Sequence, residues 1–340
     1  MKNNNVRVIT DRIPLQHDGD GSDLFNYLHM AKPGDIIEAQ QFSRQWQENE
    51  LFPTAQKMET IVAKRGSMDL AGKKMITFFY EPSTRTRASF EIAMDMLGGR
   101  VIFSTENAAD FSSLAKGEDI RDTILVRNRY QPDVIVLRSK TEGDAKRAAE
   151  ISLAPIFNAG DGIGQHPTQA MLDLYTIKKK FGRIDGISIA MAGDLAKGRT
   201  VRSLAYLLGK YSDVTIHLVS PEELKMRDDI KDYLRRHNVF FYETNDLRQV
   251  APFVDVIYQT RPQKERGTEA YPLISDSGYF AINPQIAGMM KQHSIIMHPL
   301  PRNEEIEREV DKDQRAVYLT DQIDSGLAVR MALLQMYLGK

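Results

Sequence analysis

Five consecutive residues, Ser83-Thr84-Arg85-Thr86-Arg87, set three hydroxyls and two guanidiniums between an apolar run and a helical pattern. Phe78-Phe79-Tyr80 reads as the end of a buried strand, Pro82 interrupts it, and the spacing predicts a helix beginning near Arg87. Ser and Thr are good N-cap residues. A helix N-terminus offers N–H donors and partial positive charge, which suits a phosphate. Arg85 adds a planar fork matched to phosphate oxygens. For a lone Ser-Thr-Arg, a capped helix with solvated arginines is the plainer reading. Two hydroxyl–Arg pairs in five residues favour an anion site instead. The site lacks the Gly-x-x-x-x-Gly-Lys pattern of a nucleotide P-loop.

The elements that must position these groups follow from periodicity. Candidate strands are Met75–Tyr80, Val101–Ser104, Val134–Arg138, Ile187–Ala192, Val214–Val219, Val256–Thr260 and Ser294–Met297. Helical stretches Arg87–Leu97, Thr168–Lys180 and Val201–Leu208 lie between them, and Gly326–Leu338 reads as a final amphipathic helix. Strands alternating with helices predict an α/β fold built from βαβ units with parallel sheets. At 340 residues the chain suits two domains. The expected boundaries are a mobile N-terminal arm over 1–33, a first domain over 34–165 that takes back the C-terminal helix 322–340, and a second over 166–321.

Composition narrows the chemistry. Hydrophobic residues make up 42% and charged residues 27%, as in a folded globular protein. The net charge of -1 gives no whole-chain reason to expect nucleic acid or a membrane surface. There are no cysteines, so thiol catalysis, disulfides and thiolate metal sites are excluded. No metal cluster, cofactor motif, membrane span or secretory signal is read from the chain, and a cytoplasmic location is the expectation.

Four segments in order resemble the motifs of the aspartate and ornithine carbamoyltransferase family. They are Ser83-Thr84-Arg85-Thr86-Arg87, His166-Pro167-Thr168-Gln169, Asp194-Leu195-Ala196-Lys197-Gly198-Arg199-Thr200 and His298-Pro299-Leu300-Pro301-Arg302. The resemblance runs from about Asp35 to the C-terminus. It implies two α/β domains, each with a central parallel sheet flanked by helices, joined by interdomain helices, with the active site in the cleft and a catalytic homotrimer. It implies transfer of a carbamoyl group from carbamoyl phosphate to an amine, without a cofactor or metal, as a step of pyrimidine biosynthesis.

The resemblance also implies roles. Ser83, Thr84, Arg85, Thr86 and Arg138 would hold carbamoyl phosphate. His166 would donate to the carbamoyl oxygen and so stabilise an oxyanion. Gln169 and the carbonyls of Leu300 and Pro301 would meet the carbamoyl amide. Ser112 and Lys116 match a loop that the family lends to the neighbouring subunit's site; by itself that loop reads as a solvated turn. The acceptor is decided by Tyr258-Gln259-Thr260-Arg261-Pro262-Gln263, which resembles the aspartate loop. Arg261, supported by Gln263, would pair with the side-chain carboxylate and Arg199 with the α-carboxylate, since each guanidinium can take one carboxylate bidentately. Arg266 reads as a solvated loop residue. Ser139-Lys140 and Ala196-Lys197 depart from the family pattern. A transferase for a related carboxylate-bearing amine, or an inactive structural paralogue, are the alternatives. Regulatory chains or a dihydroorotase are partners the resemblance leaves open.

Overall fold

The computed structural model describes residues 34–108, 116–263, 274–275 and 278–339. The N-terminal arm over 1–33, Ser112, and the stretch from Lys264 through Arg266 lie outside them. The chain forms two compact units. One runs to Gly164 and takes back Leu327–Lys340; the other is Gln165–Gly326.

The first unit is built on four parallel strands: β1 (Lys74–Phe79), β2 (Arg100–Thr105), β3 (Val134–Ser139) and β4 (Ile156–Asp161), in the order β2-β1-β3-β4. Helix α1 (Phe52–Ala63) precedes β1, and α2 (Thr84–Met96), α3 (Ile120–Asn128) and α4 (Asp144–Ile151) lie between successive strands. Every residue of β3 and β4 is buried, as in a parallel sheet covered on both faces. α2 buries Thr86, Phe90, Ala93 and Met94.

The second unit opens with α5 (Pro167–Phe181). It carries five parallel strands: β5 (Ser188–Ala192), β6 (Thr215–Val219), β7 (Phe240–Thr244), β8 (Val256–Gln259) and, after the short antiparallel pair β9 (Ile274–Ser275) and β10 (Gly278–Tyr279), β11 (Ile295–Met297). The order is β11-β8-β5-β6-β7. Helices α6 (Arg199–Leu208), α7 (Asp228–Arg236) and α8 (Pro284–Met289) connect them. The last helix, α9 (Asp321–Leu338), starts in the second unit and ends in the first. There Arg330 lies over the Phe90 ring at 5.2 Å and Tyr337 meets Phe157 edge-on.

The expected α/β class with two parallel sheets holds. Several local expectations do not. α2 begins at Thr84, three residues before Arg87, because the hydroxyl residues enter the first turn instead of preceding it. The final helix begins at Asp321, a turn before Gly326. Four strands escaped the periodicity: β4, β7 and the two-residue β9 and β10. β4 carries the buried polar Asn158, whose amide donates to the Ile37 carbonyl at 2.9 Å. β7 is an edge strand whose Phe240 and Tyr242 share one face and are exposed. Among the described residues no helix is long and apolar enough to cross a membrane.

Candidate active site

Each sheet has one point where the strand order reverses, and open α/β sheets take ligands beyond the strand C-termini at that point. In the first unit it falls between β1 and β3. The segment Ser83–Thr86 follows β1, and Arg138 sits at the end of β3. Ser83 occupies the N-cap position of α2, but its side chain makes no cap bond. Its N–H instead donates to Glu106 Oε1 at 2.7 Å, and the Thr84 hydroxyl donates to the same oxygen at 3.2 Å. Arg87 is not a solvated arginine: it pairs with Glu91 and Glu106, each at 3.4 Å, and donates to Ser104 Oγ at 2.8 Å. Thr86 is buried and Arg85 is exposed. Arg138, 8% exposed, makes an ion pair with Glu81 at 2.7 Å and donates to the Ala159 carbonyl at 3.1 Å. Carboxylates thus already sit against this cationic end. Lys116 is exposed.

In the second unit the reversal lies between β5 and β8. Gly193, at φ +110°, ends β5; a Cβ there would come within 2.2 Å of the Thr260 carbonyl oxygen, so only glycine allows the two strand ends this close. Asp194 then joins the two following loops. Its Oδ1 accepts from the Lys197 N–H at 3.0 Å and its Oδ2 from the Gln263 N–H at 3.1 Å. Arg199, the first residue of α6, is 4% exposed. Gln263 Nε2 donates to the Arg261 carbonyl at 3.1 Å, and Arg261 donates to the Pro262 carbonyl at 2.9 Å. One carboxylate therefore ties the Arg199 segment to the Arg261–Gln263 segment.

His166 and Gln169 lie at the start of α5. His166 is the N-cap residue of α5, one position before the first helical residue, so the helix begins at Pro167 and not at Thr168. Its N–H donates to Ser203 Oγ at 2.9 Å, and its side chain is buried. Gln169 is also buried, and its Nε2 donates to Asp173 Oδ1 at 3.0 Å. Beyond β11, Leu300 has φ +53° and is followed by the cis bond to Pro301. The Leu300 N–H donates to His298 Nδ1 at 2.7 Å, so the ring proton sits on Nε2, which faces Glu305 Oε1 at 2.9 Å. Burial holds the His298 pKa below its ordinary 6.5 although Glu305 pulls the other way. Arg302 turns inward to Asp311 and Tyr318.

Sequence reasoning missed the supporting carboxylates Glu81, Glu106, Asp173, Asp194 and Glu305. Single acidic residues carry no spacing signal. Two had a usable cue: Asp173 stands one turn after Gln169 on the same helix, and Asp194 opens one of the four segments that carry the family resemblance.

Two parallel sheets, each with guanidinium groups at its own switch point, define an α/β enzyme for small anionic substrates. The description "Aspartate/ornithine carbamoyltransferase, carbamoyl-P binding domain" matches residues 35–179, and the Asp/Orn binding domain of the same family matches 185–337. The chain belongs to the aspartate/ornithine carbamoyltransferase family. It is 52% identical over 332 residues to aspartate carbamoyltransferase 3, chloroplastic, of Pisum sativum, covering 96% of this chain and 83% of that one. It is 48% identical to the aspartate carbamoyltransferase catalytic subunit of Thermococcus kodakarensis, covering 91% and 98%. Aspartate transcarbamoylase from Trypanosoma cruzi in complex with carbamoyl phosphate and aspartate has a TM-score of 0.82 at 37% identity, covering 90% of this chain and 97% of that one.

Proposed function

We propose that this chain transfers the carbamoyl group of carbamoyl phosphate to the amino group of L-aspartate, giving N-carbamoyl-L-aspartate and phosphate. The observation that carries the reading is Asp194, which bonds both the Lys197 and the Gln263 backbone and so draws two arginine-bearing segments together. Two guanidiniums suit the two carboxylates of aspartate and would repel a cationic side chain. Arg199 takes the α-carboxylate, and Arg261, steadied by Gln263, the side-chain carboxylate. Ser83, Thr84, Arg85, Thr86 and Arg138 hold the phosphate of the donor.

Carbamoyl phosphate is already activated, so positioning and electrostatics supply the catalysis. The aspartate nitrogen attacks the carbamoyl carbon. His166 and Arg138 stabilise the negative charge that develops on its oxygen. Gln169 and the carbonyls of Leu300 and Pro301 hold the carbamoyl amide. The C–O bond to phosphate then breaks, and the leaving phosphate takes the amine proton. No metal or cofactor has a part. Colorimetric assay of carbamoyl aspartate, without added metal, tests the reading; use of ornithine with aspartate ignored would overturn the acceptor.

The active form in this reading is a homotrimer in which Ser112 and Lys116 serve the neighbouring subunit. Mixing Lys116→Ala with His166→Ala, then dissociating and reassembling them, should restore activity above either parent, because some hybrid sites combine two intact halves. Hybrid trimers seen by native mass spectrometry that stay inactive would sink the shared site. A place in pyrimidine biosynthesis and a cytoplasmic location complete the proposal. The Pisum sativum relative is named chloroplastic, so cell fractionation decides the latter.

A further inference from the structure

Asp173 is fully buried, and three side chains donate to it. Gln169 Nε2 reaches Oδ1 at 3.0 Å and Gln322 Nε2 the same oxygen at 2.7 Å; the Tyr258 hydroxyl reaches Oδ2 at 2.7 Å. An ionised carboxylate only accepts, so a glutamine beside it must turn its nitrogen inward. For Gln322 the orientation is fixed at both ends, because its Oε1 accepts the His298 N–H at 3.0 Å. Burial pushes the Tyr258 phenol well above its ordinary pKa of 10, so it stays protonated and remains a donor. The Thr200 side chain hydrogen-bonds that phenol in turn. One carboxylate thereby bonds the Gln169 amide directly, the His298 backbone through Gln322, and the residue beside Arg199 through Tyr258.

We infer that Asp173 is the positioning residue for donor selection: by holding Gln169 Nε2 it commits Gln169 Oε1 to face the substrate, where it accepts from a carbamoyl –NH2. This rests on the carbamoyl transfer proposed above. A glutamine free to flip would offer a donor half the time and meet an –NH2 with another –NH2. With the flip excluded, the site selects a carbamoyl donor over an acyl donor of the same shape, since a methyl in place of –NH2 leaves Oε1 without its partner. The inward turn of the nitrogen follows from the chemistry of the carboxylate, and the roles of Gln322 and Tyr258 are to hold that carboxylate still.

The test uses the full chain and two ligands: carbamoyl phosphate as substrate and acetyl phosphate as competitive inhibitor. Asp173→Ala should lower kcat/KM for carbamoyl phosphate by about 30-fold, a lost charge-assisted bond. The Ki of acetyl phosphate should stay within about threefold of wild type, because its methyl never used Oε1. Asp173→Asn should restore most of the discrimination, since its Oδ1 still accepts both amide nitrogens while its Nδ2 donates to the phenol. Equal weakening of both ligands in the Ala variant, unchanged discrimination, or failure of Asn to restore it overturns the inference. Should the Ala variant not fold, Asp173→Ser replaces it, because a hydroxyl both donates and accepts; the same three outcomes decide. Wild-type protein that makes no carbamoyl aspartate would instead sink the proposed function, before any variant is compared.

Discussion

The Ser83–Arg138 region of the first unit, proposed for the phosphate, and the Gln169 region of the second, proposed for the carbamoyl group, hold their side chains by opposite means. In the first, charged groups rest on other charged groups: Arg138 on Glu81, Arg87 on Glu91 and Glu106, and the start of α2 on Glu106. The Arg138–Glu81 pair is largely buried, whereas the Arg87 pairs are partly exposed, and such ion pairs are weak and adjustable. A phosphate dianion can displace or outcompete such partners. In the second, Gln169, Gln322 and Tyr258 converge on one buried carboxylate, in a network that tolerates no rotation. Buried polar networks are strong when complete and costly when broken. The difference suits the ligands: a phosphate needs charge from several directions, whereas a planar amide needs one donor or acceptor in one place.

The sharpest way to break the comparison is to remove its strongest ion pair. Arg138→Ala should cost about 4 kcal/mol in kcat/KM, roughly a thousandfold, because in the proposed reading it removes a phosphate ligand, and it leaves the Glu81 carboxylate without its guanidinium. Arg138→Lys should recover little of this, since an ammonium cannot make the fork. Steady-state kinetics with carbamoyl phosphate varied checks both. Activity within tenfold of wild type for the Ala variant would mean that the guanidinium does not serve the phosphate.

Next in size is the acceptor. Arg261→Ala should cost about 2–4 kcal/mol in kcat/KM for aspartate while carbamoyl phosphate binds nearly as before. Titration calorimetry of each substrate separates the two effects. Equal damage to both would deny that the second sheet's switch point serves aspartate alone.

The sequence made the cationic groups legible and left their supports hidden. Ser83–Thr86 are legible as paired hydroxyls and arginines ahead of a helix and Arg138 as a guanidinium at a strand end, while Arg199 and Arg261 are legible through the family resemblance of their segments. The buried strands β3 and β8 were equally plain as apolar runs. The roles of Glu106 and Asp194 were not, because each rests on a partner 22 or 69 residues away in sequence, and of Asp173 only the bond to Gln169 was near enough to read, its bond to Gln322 spanning 149 residues. No periodicity reports such a distance. β7 was missed although it opens on Phe240-Phe241-Tyr242: Phe240 and Tyr242 are exposed at the sheet edge, so no apolar–polar alternation marks a buried face.

A smaller effect sharpens the picture of the first unit. Glu106→Gln keeps an acceptor for the Ser83 N–H but removes the negative charge beside Thr84 and Arg87. Phosphate binding should tighten by about fivefold, near 1 kcal/mol, if the carboxylate competes for this site. Calorimetry with inorganic phosphate reads it directly. Weaker binding would show that Glu106 holds the turn in shape rather than competing.

The smallest expected effect belongs to the second unit and to pH. With Leu300 donating to Nδ1 and Nε2 facing Glu305, His298 is complete as a neutral ring, and burial holds its pKa below 6.5. The unfolded chain takes up a proton as pH falls through 6.5, while the folded chain does not until lower pH. The stabilisation is therefore fully present above 6.5 and is lost as pH falls below it, by up to about 0.8 kcal/mol at pH 6. His217, also lowered by burial, adds a contribution of the same sign. The His298 part is isolated by comparing wild type with His298→Asn in denaturant at pH 7.5 and pH 6. The variant should be less stable at both, yet lose about 0.8 kcal/mol less between them. Parallel losses in the two proteins would mean that folding leaves the His298 pKa where the unfolded chain has it; a wild type that loses less than the variant would mean that His298 carries its proton in the folded chain, and the segment from His298 to Pro301 would then rest on an ion pair like those of the first unit.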